Sequence, residues 1–166
     1  MDATQLSGSA VVNTTKLERS AVQRALDGVV DPEIPVLTIE DLGVLRSFSV
    51  EDDTVQVTIT PTYSGCPAMQ QIEDDIVASL RKVGAASVDV VTTYSPAWNT
   101  EWISEDGRRK LNDFGIAPPV AEEEVLCPRC ATGSPRMVAR FGSTACKALM
   151  ICSACKEPFD YFKELH

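Results

Sequence analysis

The sequence predicts an α+β chain, a small sheet with helices packed on one face, followed by a C-terminal zinc ribbon. Helix-period and strand-period stretches follow one another as helix, strand, strand, helix, strand between residues 17 and 94. Five of the six cysteines, at 66, 127, 130, 146, 152 and 155, crowd into the last forty residues. Four of those five form two Cys-x2-Cys pairs, the spacing of a metal knuckle.

A chain of 166 residues with 44% hydrophobic content has room for one substantial core and a small appendage. Residues 1–15 are small and polar without periodicity and are expected as a disordered tail. The α+β domain is expected over 16–115, a linker over the proline-rich and then acidic 116–125, and the ribbon over 126–166. The start, MDATQLSGSAVVNTTKLE, has neither a basic opening nor an apolar centre, and no apolar run is long enough to span a bilayer. A cytoplasmic protein without an export signal or a membrane segment is therefore expected, and cysteine clustering in such a chain favours metal over disulfides. The formal net charge is −9, which argues against bulk attraction to nucleic acid or an anionic membrane.

Leu17, Ala21, Val22, Ala25, Leu26 and Val29 recur at helical spacing, and Pro32 requires that helix to end before Asp31. DPEIPVLTIEDLGVL, with two prolines and a glycine, reads as an acidic and apolar loop. VLRSFSV and TVQVTIT predict a hairpin, the second strand turning Val55, Val57 and Ile59 to one face. Met69, Ile72, Ile76, Leu80 and Val83 give the strongest helix pattern, stopped by Gly84, and SVDVVTTY supplies a third strand. Ser104 is placed to cap a further short helix, with Glu105 and Asp106 in its first turn and Gly115 after its last. Trp98 and Trp102 precede it, either folded back on their own domain or presented to a partner.

Cys127, Cys130, Cys152 and Cys155 can place four thiolates around one tetrahedral ion, and the 21 residues between the pairs suffice for a hairpin. So short a segment lacks the apolar mass to fold alone, so the ion supplies much of its folding free energy. Zn2+ in a closed structural site is the expected occupant. Iron, as a single ion or a cluster, is its rival in the same cage. Cys146 is a fifth cysteine for four places, either a small buried hydrophobe on a ribbon strand or a spare ligand. His166, the single histidine, is expected to be solvated, which leaves little from which to build a hydrolytic zinc site or a Ser-His-Asp triad.

TYSGCPAMQQIEDDI places Cys66 between Gly65 and Pro67 at a helix start. Packing is one role for it. The other is chemistry: free amides and the positive dipole end favour a thiolate, and Thr62, Tyr63 and Ser64 line the approach with hydroxyls.

The stretches DPEIPVLTIEDLGVLRSF, VTITPTYSGCPAMQQIEDDI and TYSPAWNTEWISEDGRRKL resemble the metal–sulfur cluster biosynthetic domain associated with iron–sulfur assembly. With CPRC, RFGSTACKALMICSAC and EPFDYFK added, the resemblance narrows to the PaaD (PaaJ) family, small accessory subunits of bacterial phenylacetyl-CoA epoxidase systems. The resemblance implies a non-catalytic factor that matures or maintains the iron or iron–sulfur centres of its partners, the oxygenase and reductase subunits. Its motif points to Cys66, Asp31 and Glu33 as the working site, with Thr62 and Ser64 in support. One thiolate and two oxygens suit transient binding of iron or of an iron–sulfur cluster, while loop capping is the other role open to Asp31 and Glu33.

Three rivals stand beside this. One is a structural or interaction subunit without metal transfer. A thiol enzyme using Cys66 needs a base or a second cysteine, and the sequence shows neither at that loop. A nucleic-acid module would use Arg129, Arg136, Arg140 and Lys147 of the ribbon against the acidity of the rest.

Overall fold

The computed structural model describes residues 16–165. The tail expected over 1–15 and the terminal His166 lie outside the described residues. Helix α1 spans Arg19–Leu26 and buries Val22 and Leu26. It is shorter at both ends than the periodicity predicts. Val29 has already left the helix, and its carbonyl accepts from Ile39 N–H at 3.0 Å. The loop that follows turns on Asp31, whose Oδ1 accepts from the N–H groups of Glu33 and Ile34, both at 2.8 Å. This frees the chain to bury Ile34, Leu37, Ile39, Leu42 and Val44 in succession.

Strands β1 (Leu45–Glu51) and β2 (Thr54–Ile59) form the predicted antiparallel hairpin. Val55, Val57 and Ile59 face the core, as the alternation requires. Helix α2 (Met69–Lys82) then buries Ile72, Ile76 and Leu80, and it serves as the crossover to β3 (Ser87–Thr92). A crossover is needed because β3 runs parallel to β2, in the order β1-β2-β3.

Both tryptophans fold back on this domain. Trp98 is 4% exposed, and its Nε1–H donates to the carbonyl of Leu42 at 2.9 Å. Trp102 lies under the guanidinium of Arg46, 3.5 Å from ring centre to Cζ. Gly43, at φ +71°, sits so close to Trp102 that a Cβ would stand 2.6 Å from its side chain, and no other residue fits there. Helix α3 (Glu105–Phe114) starts as predicted, with Ser104 Oγ accepting from Gly107 N–H at 2.8 Å, and ends at Gly115 in the left-handed region.

A second sheet follows, with β4 (Ile116–Ala117), β5 (Arg136–Ala139), β6 (Lys147–Ile151) and β7 (Pro158–Phe162) in the order β4-β7-β6-β5. The segment 116–125, expected as a linker, thus opens with a strand, parallel to β7, and closes with a 3-10 turn at Glu122–Glu124. Ile116 and Ala117 follow directly on the αL turn of Gly115, and the prolines behind them masked so short a strand in the sequence. The sheet has its own core of Ala117, Val125, Cys127, Ala148, Met150, Cys152, Phe159 and Tyr161. Ile116, Cys146 and Phe162 belong instead to the core of the first domain. The two cores therefore meet through three residues of the second sheet and its flank.

Candidate metal centre and thiol cavity

Each Cys-x2-Cys knuckle is a turn closed by its own backbone. Ala131 N–H returns to the carbonyl of Cys127 at 2.8 Å, and Lys156 N–H to that of Cys152 at 3.1 Å. The residue after the second cysteine of each pair, Ala131 or Lys156, has a positive φ, which rolls both sulfurs inward. Arg129 Nη1 bonds to Glu157 Oε1 at 3.0 Å and ties one knuckle to the other.

The four sulfurs lie within 4.8 Å of one another, with Cys127 to Cys155 at 3.8 Å and Cys130 to Cys152 at 3.6 Å. A tetrahedron built on metal–sulfur bonds of about 2.3 Å has edges of about 3.8 Å, so the residues fit one such ion. Their protonation points the same way. Backbone N–H groups of Cys155 and Ala154 draw the Cys152 thiol down to about 6. Cys155, despite the N–H of Glu157, is pushed up to about 11 by desolvation and the neighbouring sulfurs. Four thiols this close cannot all ionise without a cation among them.

Cys66 lies three residues before α2, in the turn closed by Pro67 and Ala68. It lines a cavity with Asp31, Glu33, Ile34, Leu42, Thr62, Tyr63, Thr144, Cys146 and Phe162. The expected companions Asp31, Glu33 and Thr62 are therefore brought together with it. Ser64 is exposed and outside the cavity.

Asp31 is 6% exposed and Glu33 is open to solvent. The loop-capping role weighed for Asp31 is filled by Oδ1 alone, and its Oδ2 has no hydrogen-bond partner among the described residues. Burial raises the Asp31 carboxyl above its ordinary value, more than the N–H groups of Ile34 and Glu33 lower it.

The expectation that the helix start makes Cys66 a thiolate is corrected. Burial pushes its thiol up, and the charge of Asp31 pushes the same way. The N–H of Ala68 and the hydroxyls of Thr62 and Tyr63 pull it down but do not prevail. The reason is position: α2 begins only at Met69, so Cys66 meets one favourable amide rather than a full set.

Sequence reasoning allows Cys146 two roles, a small buried hydrophobe on a ribbon strand or a spare ligand; it is buried, but in a turn just before β6 and away from the knuckles, and its meeting with Cys66 was missed. Cys146 lies beside β6, 8% exposed, with its sulfur 3.0 Å from Thr144 Oγ1, and it faces the Cys66 cavity rather than the knuckles. Its own thiol is raised by burial and by the proximity of Cys66 and Asp31. A signal did exist: Cys146 follows Ser143 and Thr144 as Cys66 follows Thr62 and Ser64. The fold alone tells which two hydroxyl-flanked cysteines meet.

Residues 19–93 match the family of the iron–sulfur cluster assembly protein, and residues 116–163 match the PaaD zinc β-ribbon domain. The chain is 45% identical over 145 residues to an Escherichia coli K12 protein named as one of the subunits of a 1,2-phenylacetyl-CoA epoxidase, covering 83% of this chain and 88% of that one. It is 37% identical over 92 residues to an Fe–S protein maturation auxiliary factor of Porphyromonas gingivalis, covering 54% of this chain and 87% of that protein. Among solved structures, a domain of unknown function from Bacillus anthracis superposes with a TM-score of 0.52 at 25% identity, covering 55% of this chain and 89% of that one. Among the described residues no helix is long and apolar enough to cross a membrane.

Proposed function

Because the chain belongs to the PaaD family, an iron–sulfur cluster assembly domain followed by a PaaD zinc β-ribbon, we propose that it is an accessory subunit of a phenylacetyl-CoA epoxidase system. In that role it matures or maintains the iron or iron–sulfur centres of the oxygenase and reductase subunits through Cys66. The observation that carries the reading is a half-buried thiol and a buried carboxylate on one small cavity, with Glu33 at the solvent side. A thiol and carboxylates are the donors that borderline metals such as iron accept.

Iron is cargo in this scheme, held by Cys66 and Asp31 and passed on. Zinc is resident. Cys127, Cys130, Cys152 and Cys155 hold it, and when bound it supplies folding free energy to the ribbon. The ribbon side contributes by docking: Phe162 closes one wall of the cavity.

The test is the iron and cluster content of the oxygenase and reductase purified from cells carrying the wild-type chain, no chain, or Cys66→Ala. Low metal loading is expected in the last two. Equal loading and equal specific activity in all three would leave a structural or interaction subunit as the better account.

A further inference from the structure

We propose that the outer edge of the ribbon is a docking surface for an acidic segment of another subunit of the epoxidase system, gripped by the ring of Phe141 and the cations along β5. This rests on the function proposed above and names the face through which the chain meets its partners.

The ribbon is the basic part of an acidic protein. The chain carries a formal net charge of −9, yet residues 126–166 hold Lys or Arg at 129, 136, 140, 147, 156 and 163 against acids at 157, 160 and 164. Lys147 is paired with Asp160 at 3.3 Å, and Arg129 with Glu157 at 3.0 Å. That leaves Arg136, Arg140, Lys156 and Lys163 against Glu164. β5 is an outermost strand of its sheet, with Arg136 exposed at its start and Arg140 exposed just past its end. Val138, 50% exposed, lies between them.

Phe141 follows, 69% exposed and the most open of the large apolar side chains among the described residues. It lines a cleft of about 300 Å³ with Met137, Arg140, Tyr161 and Lys163. The ring is held in place, because Lys163 Nζ lies 4.5 Å from its centre and donates to the carbonyl of Arg140 at 3.1 Å. An aromatic side chain already fixed in the open loses little freedom when a partner covers it, and aromatic and Arg side chains are enriched at interfaces. Glu122 and Glu164 also line the cleft. The cleft therefore takes an apolar side chain of the incoming segment, while its acids pair with Arg136 and Arg140 along β5.

A second copy of the chain fits this edge poorly. Two β5 strands paired antiparallel about Val138 would set Arg136 of each against Arg140 of the other, like charges opposed. The register of β5 also shifts between Met137 and Ala139, an irregularity that interrupts the ladder an added strand would need. Residues 1–15 carry one acid, Asp2, too few to answer these cations. A nucleic acid would meet the acidity of the rest of the chain, whereas a short acidic segment meets the ribbon alone.

The experiment uses the full, zinc-loaded chain. Its probes are the oxygenase and the reductase of the epoxidase system, purified from cells lacking the chain, with affinity read by biolayer interferometry at low and high salt. Binding to at least one probe is expected, and it should weaken as salt rises. Phe141→Ala and Arg140→Glu should each weaken it on the order of tenfold or more. Zinc at one per chain and an unchanged unfolding temperature show that these exposed replacements leave the fold intact.

Wild-type chain that binds neither probe overturns the proposal, and so do variants that bind like wild type. Self-association of the wild-type chain in sedimentation, abolished by Phe141→Ala, also overturns it, since the occupant is then a second copy. Binding of a single-stranded RNA that Arg140→Glu abolishes does the same. Lost binding in Phe141→Ala together with normal iron loading of the epoxidase in cells would uphold this surface and overturn the maturation role instead.

Discussion

The ring of Phe162, at the end of the ribbon, lies 6.0 Å from that of Trp98 in the first domain, tilted by 49°. Phe162 is fully buried, and its ring also lines the thiol cavity. Docking of the ribbon and closure of the cavity are thus one packing event.

Phe162→Ala should therefore cost about 3–5 kcal/mol, the range for removing a buried aromatic ring. Zinc content should stay at one per chain, since the knuckles are elsewhere. Cys66 and Cys146 should both react faster with iodoacetamide, read peptide by peptide in a mass spectrometer. Faster reaction of the knuckle cysteines alone would contradict this picture.

Cys152→Ser should lose the zinc and, with it, more than the ribbon. Cys152 is fully buried in the ribbon core, and Phe162 couples that core to the first. Loss of zinc by elemental analysis should be accompanied by a lower unfolding temperature of the first domain, followed by the fluorescence of Trp98 and Trp102. An unchanged tryptophan transition would show that the two parts fold independently.

The pH dependence of Cys66 has a defined sign. Its thiol is held above the ordinary 9.0, so alkylation of zinc-loaded chain should rise with a midpoint above that value. Because the folded state holds this proton more tightly than the unfolded chain, the stability it contributes is present below pH 9 and is lost as pH climbs through the folded value. Asp31→Asn keeps an oxygen for the N–H groups of Glu33 and Ile34 but removes the charge, so the midpoint should move down. An upward or absent shift in the variant refutes the assignment of Asp31 as neighbour.

Asp41 straps the long loop to α3. Its Oδ1 accepts from Ser104 Oγ at 3.0 Å, and its Oδ2 from Lys110 Nζ at 2.7 Å and Thr38 N–H at 3.2 Å. Burial pushes its carboxyl up, but Lys110, Thr38 and Ser104 outweigh that and hold it below the ordinary 3.8. Asp41→Ala should cost about 3 kcal/mol in urea unfolding at neutral pH. The charge-dependent part, measured against Asp41→Asn, is present above the ordinary carboxylate value and should fade as pH drops through the folded one. A constant difference from about pH 7 to about pH 2 would show that the charge of Asp41 is not what stabilises the strap.

Period and spacing made the helices, the hairpin and the knuckles legible, because each is specified within a few neighbouring residues. Met69 to Val83 repeats every three or four positions whatever surrounds it, and Cys127-x2-Cys130 closes on its own backbone. What stayed hidden depends on distant pairs. The strand at Ile116–Ala117 exists because Asp160 and Tyr161 lie alongside it. Trp98 is core because Leu42 and Phe162 come to meet it. The Cys66 cavity was half legible: Thr62 is a near neighbour of Cys66, and the family resemblance grouped Asp31 and Glu33 with them although both lie more than thirty residues away, whereas Cys146 arrives from eighty residues away. The local dipole argument for a thiolate failed for the same reason, since the opposing burial comes from the rest of the fold.

Phe162 also sets an order in time. During synthesis the residues of the first core leave the ribosome long before the ribbon does, and N-terminal parts of a chain fold first. Until the ribbon is made and holds its metal, that early core lacks one aromatic wall and its two cavity thiols stay apart. A cell short of zinc therefore accumulates a chain with an uncovered apolar face, the kind of surface that chaperones hold and proteases clear. Supply of one metal would thereby govern how many copies survive to handle another.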